Sequence, residues 1–265
     1  MMLTNLIDIG ANLTDRAFNQ DVDEVIQRAQ QAGVAQMIIT GTSVSDSEKA
    51  LTLVNRHPKI LYSTVGVHPH YAQDCTANTA DQLAALAEQT GVVAIGECGL
   101  DFNRNLSPAD TQITWFEIQL GIAAELKLPV FMHQRDAHEP FMQIMQRWRP
   151  RLVSGVVHCF TGNTAAVQAY LGLDLYVGIT GWLCDERRGQ DLQAAVKHIP
   201  LNRLMLETDA PYLLPRDLKL SPKTRRNEPM HLPHICHAVA QHRDETVDLV
   251  AKQSTLAAIK CFNLG

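Results

Sequence analysis

No two of the six cysteines, Cys75, Cys98, Cys159, Cys184, Cys236 and Cys261, form a CxxC pair. Neither a thiolate zinc site nor a disulfide framework is expected, and free thiols are the default. No apolar run approaches the roughly 20 residues that a membrane span requires. The first residues, Met1, Met2, Leu3, Thr4 and Asn5, supply neither the basic start nor the apolar stretch of a secretory signal, so a cytoplasmic protein without membrane association is expected. A net charge of −5 offers no global attraction to polyanions, and any nucleic-acid binding must come from a local basic patch acting against the overall field. Gly/Ser-rich linkers, low-complexity tracts and internal repeats are also missing, which predicts one domain over residues 1–265.

What is present is an ordinary globular composition, 46% hydrophobic and 19% charged. A chain of 265 residues buries roughly three quarters of the surface its unfolded form exposes, enough for one large α/β core. Short apolar, β-branched runs recur at 6–9, 34–40, 61–67, 92–95, 130–132, 153–157, 175–179 and 204–206, each bounded by Gly, Pro or polar residues as buried parallel strands are. Between them lie stretches of helical periodicity: 22–33 closing on Gly33, 108–127 opening on Pro108, and 164–173. One or two further helices are expected from Leu232 onward. Eight strand–helix units of roughly 33 residues each approach the spacing of a TIM (β/α)8 barrel of about 250 residues. A doubly wound open sheet is the structural rival.

Nearly every apolar run is followed at once by a residue able to bind a metal or move a proton. The third leads into His68 and His70, the fourth into Glu97 and Asp101, the fifth into His133, the sixth into His158 and the eighth into Glu207 and Asp209. In a barrel these converge at the C-terminal rim, where active sites of that fold lie. Glu97, His133 and His158 make a hard oxygen plus two imidazoles, suited to a divalent ion. Asp209 reads as a general base or additional ligand, so Glu97 and Asp209 are the candidate catalytic carboxylates. Glu207 is assigned to the opposite face of its strand, as an ion-pair partner behind the barrel or a group acting through another residue. His68 and His70 are weaker ligands, one of them facing an anionic substrate. Arg187, Arg188, Arg216, Lys219, Lys223, Arg225 and Arg226 cluster on expected rim loops, where they either grip phosphates or are simply solvated. Trp115, Trp148 and Trp182 read as packing residues rather than a base-stacking platform.

Taken in order, "GVHPH", "IGECGLDFNR", "PVFMHQRDA", "VVHCFTG" and "LMLETDAPYLLP", with "DERRG" and "RRNEP", resemble the TatD family of metal-dependent deoxyribonucleases nearly end to end. The likeness is greater to the founding bacterial branch than to its paralogues. It implies a TIM barrel of the amidohydrolase type and a 3′ to 5′ exonuclease on single-stranded DNA or RNA, with a role in DNA repair or nucleic-acid turnover. By motif, Glu97, His133 and His158 correspond to metal ligands and Asp209 to the carboxylate that binds metal or activates water. His68 would lie near the substrate, with Arg187, Arg188, Arg225 and Arg226 positioning the strand. Magnesium is the expected ion, with manganese or zinc tolerated, and a monomer without an obligate protein partner is expected.

One departure stands out. The family places an H-x-H pair after the first strand, and here Gly10, Ala11 and Asn12 occupy that stretch. At most one protein-only metal site is therefore expected, a second ion being recruited by substrate phosphate oxygens. Two other readings share this constellation: an amidohydrolase-like enzyme acting on an amide, lactone or aminoacyl ester, and a barrel retained only for binding.

Overall fold

A computed structural model describes residues 5–220 and 225–265; Lys223 lies outside the described residues. Eight parallel strands, β1 (Leu6–Ala11), β2 (Val34–Ile39), β3 (Leu61–Val65), β4 (Val92–Asp101), β5 (Val130–Arg135), β6 (Gly155–Val157), β7 (Tyr176–Ile179) and β8 (Leu204–Leu206), follow one another around the sheet in sequence order. Each is followed by a helix: α1 (Val22–Gln31), α2 (Val44–Arg56), α3 (Thr79–Ala87), α4 (Ala109–Leu126), α5 (His138–Trp148), α6 (Thr164–Gly172), α7 (Gln190–Ala195) and α8 (Leu232–Arg243). A further helix, α9 (Val247–Phe262), ends the chain. This is the TIM-barrel order, and the open-sheet rival is set aside because a doubly wound sheet reverses its strand order partway.

Local chemistry explains the helix starts. Ser43 accepts the Asp46 N–H at 3.1 Å, Asn163 the Ala166 N–H at 3.0 Å and Thr246 the Leu249 N–H at 3.3 Å, capping α2, α6 and α9. α1 turns Val25, Ile26 and Ala29 inward along one stripe. One apolar layer lies between the strands and the surrounding helices. A second joins Ile7, Ile9, Ile38, Phe131, Val156 and Met205 to Ala257, Ala258, Cys261 and Phe262 of α9. α9 thus packs on the strand layer through an apolar face that includes residues of β1 and β8.

Two features place the site. First, β4 runs to Asp101 rather than stopping at Ile95, pairing Gly99 with His133 and Asp101 with Arg135. Glycine normally punctuates a strand, but Gly96 (φ +143°) and Gly99 (φ +138°) adopt backbone open to glycine and continue it through a register shift. Glu97 and Asp101 consequently ride on a strand rather than on a loose loop. Second, the β8–β1 seam is closed beyond the ends of the regular ladder. Asp209 N–H donates to Gly10 O at 2.8 Å and Asn12 N–H to Ala210 O at 2.7 Å. The fully buried Asp8 carboxylate adds to the seam by accepting the Thr208 N–H at 2.9 Å and the Thr208 hydroxyl at 2.5 Å.

Candidate active site

Glu97 is the hub. Its Oε1 lies 2.7 Å from His158 Nε2, 3.1 Å from His133 Nδ1 and 3.4 Å from His68 Nε2. Residues from the ends of β3, β4, β5 and β6 therefore meet at one carboxylate oxygen. The two nearer imidazoles are each backed by another carboxylate: His133 Nε2 is 3.2 Å from Asp101 Oδ2, and His158 Nδ1 is 3.3 Å from Glu207 Oε2. Asp101 is itself held by His70 Nε2 at 2.8 Å and the Arg104 N–H at 2.8 Å, and Glu207 accepts the Cys159 N–H.

His68 differs from these two. Its Nδ1 accepts the His70 N–H at 3.0 Å, capping the short 3-10 helix Pro69–Asp74. The ring proton therefore sits on Nε2 and faces Glu97. Burial pushes its pKa down to about 3, which keeps the ring neutral. The ligand atoms of His68, Glu97 and His133 all lie within 4.8 Å of one another. Ligation through His68 Nε2 would move its proton to Nδ1, against the His70 N–H, so the hydrogen bonding favours His68 as a donor.

The charges explain themselves. Burial alone would raise Glu97, but His158 and the hydrogen bonds from His133 and His158 carry it well below the carboxylate range. Burial likewise opposes a charged His158, yet Glu97 and Glu207 lift it well above its ordinary value; burial also opposes a charged His133, and Asp101 and Glu97 outweigh it to raise the ring. Asp209 goes the other way. Burial, compounded by the charges of Glu97 and Glu207, raises its carboxyl to about 7. Its backbone is left-handed (φ +54°), and its Oδ1 accepts the Asn12 amide at 2.9 Å.

These residues fit a divalent ion. His133 Nδ1 and His158 Nε2 both face Glu97 Oε1, so these three atoms could hold a cation while the other ring nitrogens keep their contacts to Asp101 and Glu207. The excess negative charge that raises Asp209 is the electrostatic counterpart of that fit.

Glu207 corrects its opposite-face assignment. Residues two apart on a strand share a face, and Glu207 is fully buried on the His158 side of β8. Two glycines make its room: a Cβ at Gly10 would lie 2.5 Å from Glu207 Oε2, and one at Gly178 2.5 Å from Oε1. The space that a side chain at position 10 would need is thus filled by Glu207, and Asn12 holds Asp209. Of the two roles open to Glu207 on sequence, the structure places it against His158; the supporting roles of Asp101 and Asn12 emerge only in the structure. The signal for Asp101 and Glu207 was their place beside the strand-end ligands, whereas the role of Asn12 exists only across the seam.

The rim arginines divide into two groups. Arg187, Arg188 and Arg225 are exposed. The buried Asp185 organises the first two, accepting the Arg187 and Arg188 N–H groups at 3.0 and 3.2 Å and the Arg188 Nε at 2.8 Å, while Arg188 lies over Trp182 at 4.3 Å. Arg216 reaches the same carboxylate at 3.3 Å. Arg226 instead forks onto Asp21 with two contacts of 2.8 Å and meets Glu228 at 2.6 Å, inside a network completed by Arg28. That network ties the segment before α8 to the start of α1.

Eight strands delivering a histidine–carboxylate centre to one rim define a barrel of the hydrolase type with a candidate divalent-cation site. The chain belongs to the family described as TatD related DNase, whose model matches residues 7–263. It is 52% identical over 259 residues to the 3′-5′ ssDNA/RNA exonuclease TatD of Erwinia amylovora, covering 98% of this chain and 100% of that protein. The same enzyme of Pantoea ananatis is 51% identical over 98% of this chain and 100% of its own length. Among solved structures, a TatD homologue from Escherichia coli K12 superposes with a TM-score of 0.89 at 27% identity, covering 98% of each chain. A β-aspartyl dipeptidase from Fervidobacterium islandicum, at 12% identity and a TM-score of 0.63 over 99% of this chain and 75% of its own, shares the fold alone. No helix among the described residues is long and apolar enough to cross a membrane.

Proposed function

We propose that this protein removes nucleotides from the 3′ end of single-stranded DNA or RNA, hydrolysing the phosphodiester at the Glu97 centre. The observation that carries the reading is the meeting of His133 and His158 on Glu97 Oε1, each imidazole backed by its own carboxylate, in a chain about half identical to 3′-5′ exonucleases. Glu97, His133, His158 and Asp209 would hold the ion, magnesium or a manganese substitute, which when bound lowers the pKa of water and polarises a phosphoryl oxygen. Asp101 and Glu207 orient the two imidazoles. Asp209 accepts the proton of the attacking water; Asn12 holds its Oδ1, and Oδ2 accepts no hydrogen bond among the described residues. His68 donates its Nε2 proton toward Glu97 or a phosphate oxygen. Arg187, Arg188 and Arg225 meet the backbone phosphates of the strand, and Arg226 contributes by fixing the loop that carries Arg225.

The test is release of mononucleotides from 5′-labelled single-stranded oligonucleotides with magnesium or manganese, comparing the wild-type protein with Glu97→Ala and His158→Ala. A ladder shortening from the 3′ end in the wild type, and no ladder in either variant, is expected. Equal activity in all three preparations would mean a contaminating nuclease and sink the proposal.

A further inference from the structure

Among the described residues, the exposed large apolar side chains include only two aromatics, Tyr71 and Tyr212, 47% and 53% exposed. Both stand on loops of the C-terminal rim, immediately beside the centre. Tyr71 lies in the 3-10 helix Pro69–Asp74 that His68 caps, its ring 6.3 Å from the His68 ring and its N–H on the His68 carbonyl at 2.9 Å. Tyr212 follows Asp209 by three residues, its N–H on the Asp209 carbonyl at 2.9 Å. Its hydroxyl donates to Asp15 Oδ2 at 2.9 Å, and Asp15 is itself fixed by accepting the Ala17 N–H through Oδ1 at 2.7 Å. The second ring is therefore held in one orientation although it faces solvent. Burial, the Asp15 hydrogen bond and the neighbouring charges of Asp15, Asp209 and Tyr71 push the Tyr212 phenol up to about 12.

A ring exposed beside a site offers an aromatic face that a partner with a π-face can cover. The groups that meet at Glu97 are imidazoles and carboxylates, and the one ring stacked beneath them, Phe131 under His158 at 4.5 Å, is fully buried. A strand whose phosphate is at Glu97 must place the neighbouring bases outside that polar pocket, where Tyr71 and Tyr212 offer π-faces on the β8–β1–β2–β3 side of the rim. We propose that Tyr71 and Tyr212 form a base-stacking subsite for the unpaired bases flanking the scissile phosphate. Stacking is indifferent to base identity, because every base has a π-face. It demands an unpaired end, because a base within a duplex already has its faces covered. The pair would thereby set a preference for single-stranded ends without reading sequence. The inference rests on the nuclease reading above and names the part of the same mouth that holds the base rather than the phosphate.

The test compares Tyr71→Ala, Tyr212→Ala and Tyr71→Trp with the wild type on a single-stranded oligonucleotide and on one with abasic residues flanking the scissile bond. Each alanine variant is expected to raise KM on the intact strand by about 5- to 150-fold, with a smaller fall in kcat. Tyr71→Trp should keep the wild-type KM. On the abasic strand the wild type should lose the same advantage, and the alanine variants should lose nothing further. Fluorescence of 2-aminopurine next to the scissile bond, titrated in chelator, supplies a readout independent of turnover: quenching by the wild type and its loss in the alanine variants are expected. Variants that match the wild type on the intact strand, or that are impaired equally on the abasic strand, overturn the stacking role while leaving the nuclease reading standing. A wild type that cleaves neither strand overturns the nuclease reading and this inference with it.

Discussion

The two arcs of the site are built from different charge pairings. On the β4–β6 arc, Glu97 and Asp101 face His133 and His158 across contacts of 2.7 to 3.2 Å, so acids and imidazoles compensate one another. On the β8–β1 seam, Asp8 and Asp209 face neutral partners, the Thr208 N–H and hydroxyl and the Asn12 amide. Burial then drives both carboxyls up, each to about 7. The first arc joins imidazoles to carboxylates where a cation would sit, and on the second, burial favours neutral carboxyls, of which a cation beside Asp209 would restore the charge. Glu207 joins them by reaching from β8 to His158.

Cutting the carboxylates behind the imidazoles should break the first arc most sharply. Asp101→Asn and Glu207→Gln preserve shape but remove the charge that orients His133 and His158, and losses of about 10- to 100-fold in activity and metal affinity are expected. Titration of the ion by calorimetry alongside kcat/KM checks this, and wild-type affinity in both variants would show that the imidazoles need no such support. Next in size is the junction of the arcs. Gly10→Ala places a methyl 2.5 Å from Glu207 Oε2, and a destabilisation of about 1–3 kcal/mol is expected from overpacking. Adding Glu207→Ala should recover part of it, because the clash is removed, and a denaturant double-mutant cycle reads the coupling. Additive effects would place the strain elsewhere.

The smallest effect is on the seam. An Asp8 carboxyl at about 7 in the fold, against 3.8 ordinarily, holds its proton where the unfolded chain has released it. Linkage then lowers stability as pH rises from about 4 to about 7, with no further contribution from this group above that range. In chelator, the melting temperature of the wild type should therefore fall more between pH 5 and pH 8 than that of Asp8→Asn. Parallel curves would mean that Asp8 is ionised throughout.

Much of this is legible in the sequence. All eight strands were visible as short β-branched runs, because a strand covered on both faces must be apolar along its length. Glu97, His133, His158 and Asp209 were visible as strand-end residues, since a parallel barrel sends every strand end to one rim. The extension of β4 to Asp101 was not, because Gly96 and Gly99 read as a stop when only local propensity is considered. Nor is the place of Glu207, which shares a face with Asp209 and reaches His158 only once β8 joins β6 and β7 in the sheet. Arg226 shows the same limit: on sequence it stands equal to Arg225, yet Asp21 and Glu228 engage it across more than two hundred residues in one case and two in the other.

The sequence by itself determined the alternation of elements, the rim on which the chemistry gathers and the residue types able to hold an ion, because periodicity and strand-end position are local properties. Only the tertiary structure decided which carboxylate stands behind which imidazole, that Glu207 fills the space beside Gly10, and that Asn12 holds Asp209. Those pairings join residues as much as 197 apart, and they exist only once β8 has closed on β1.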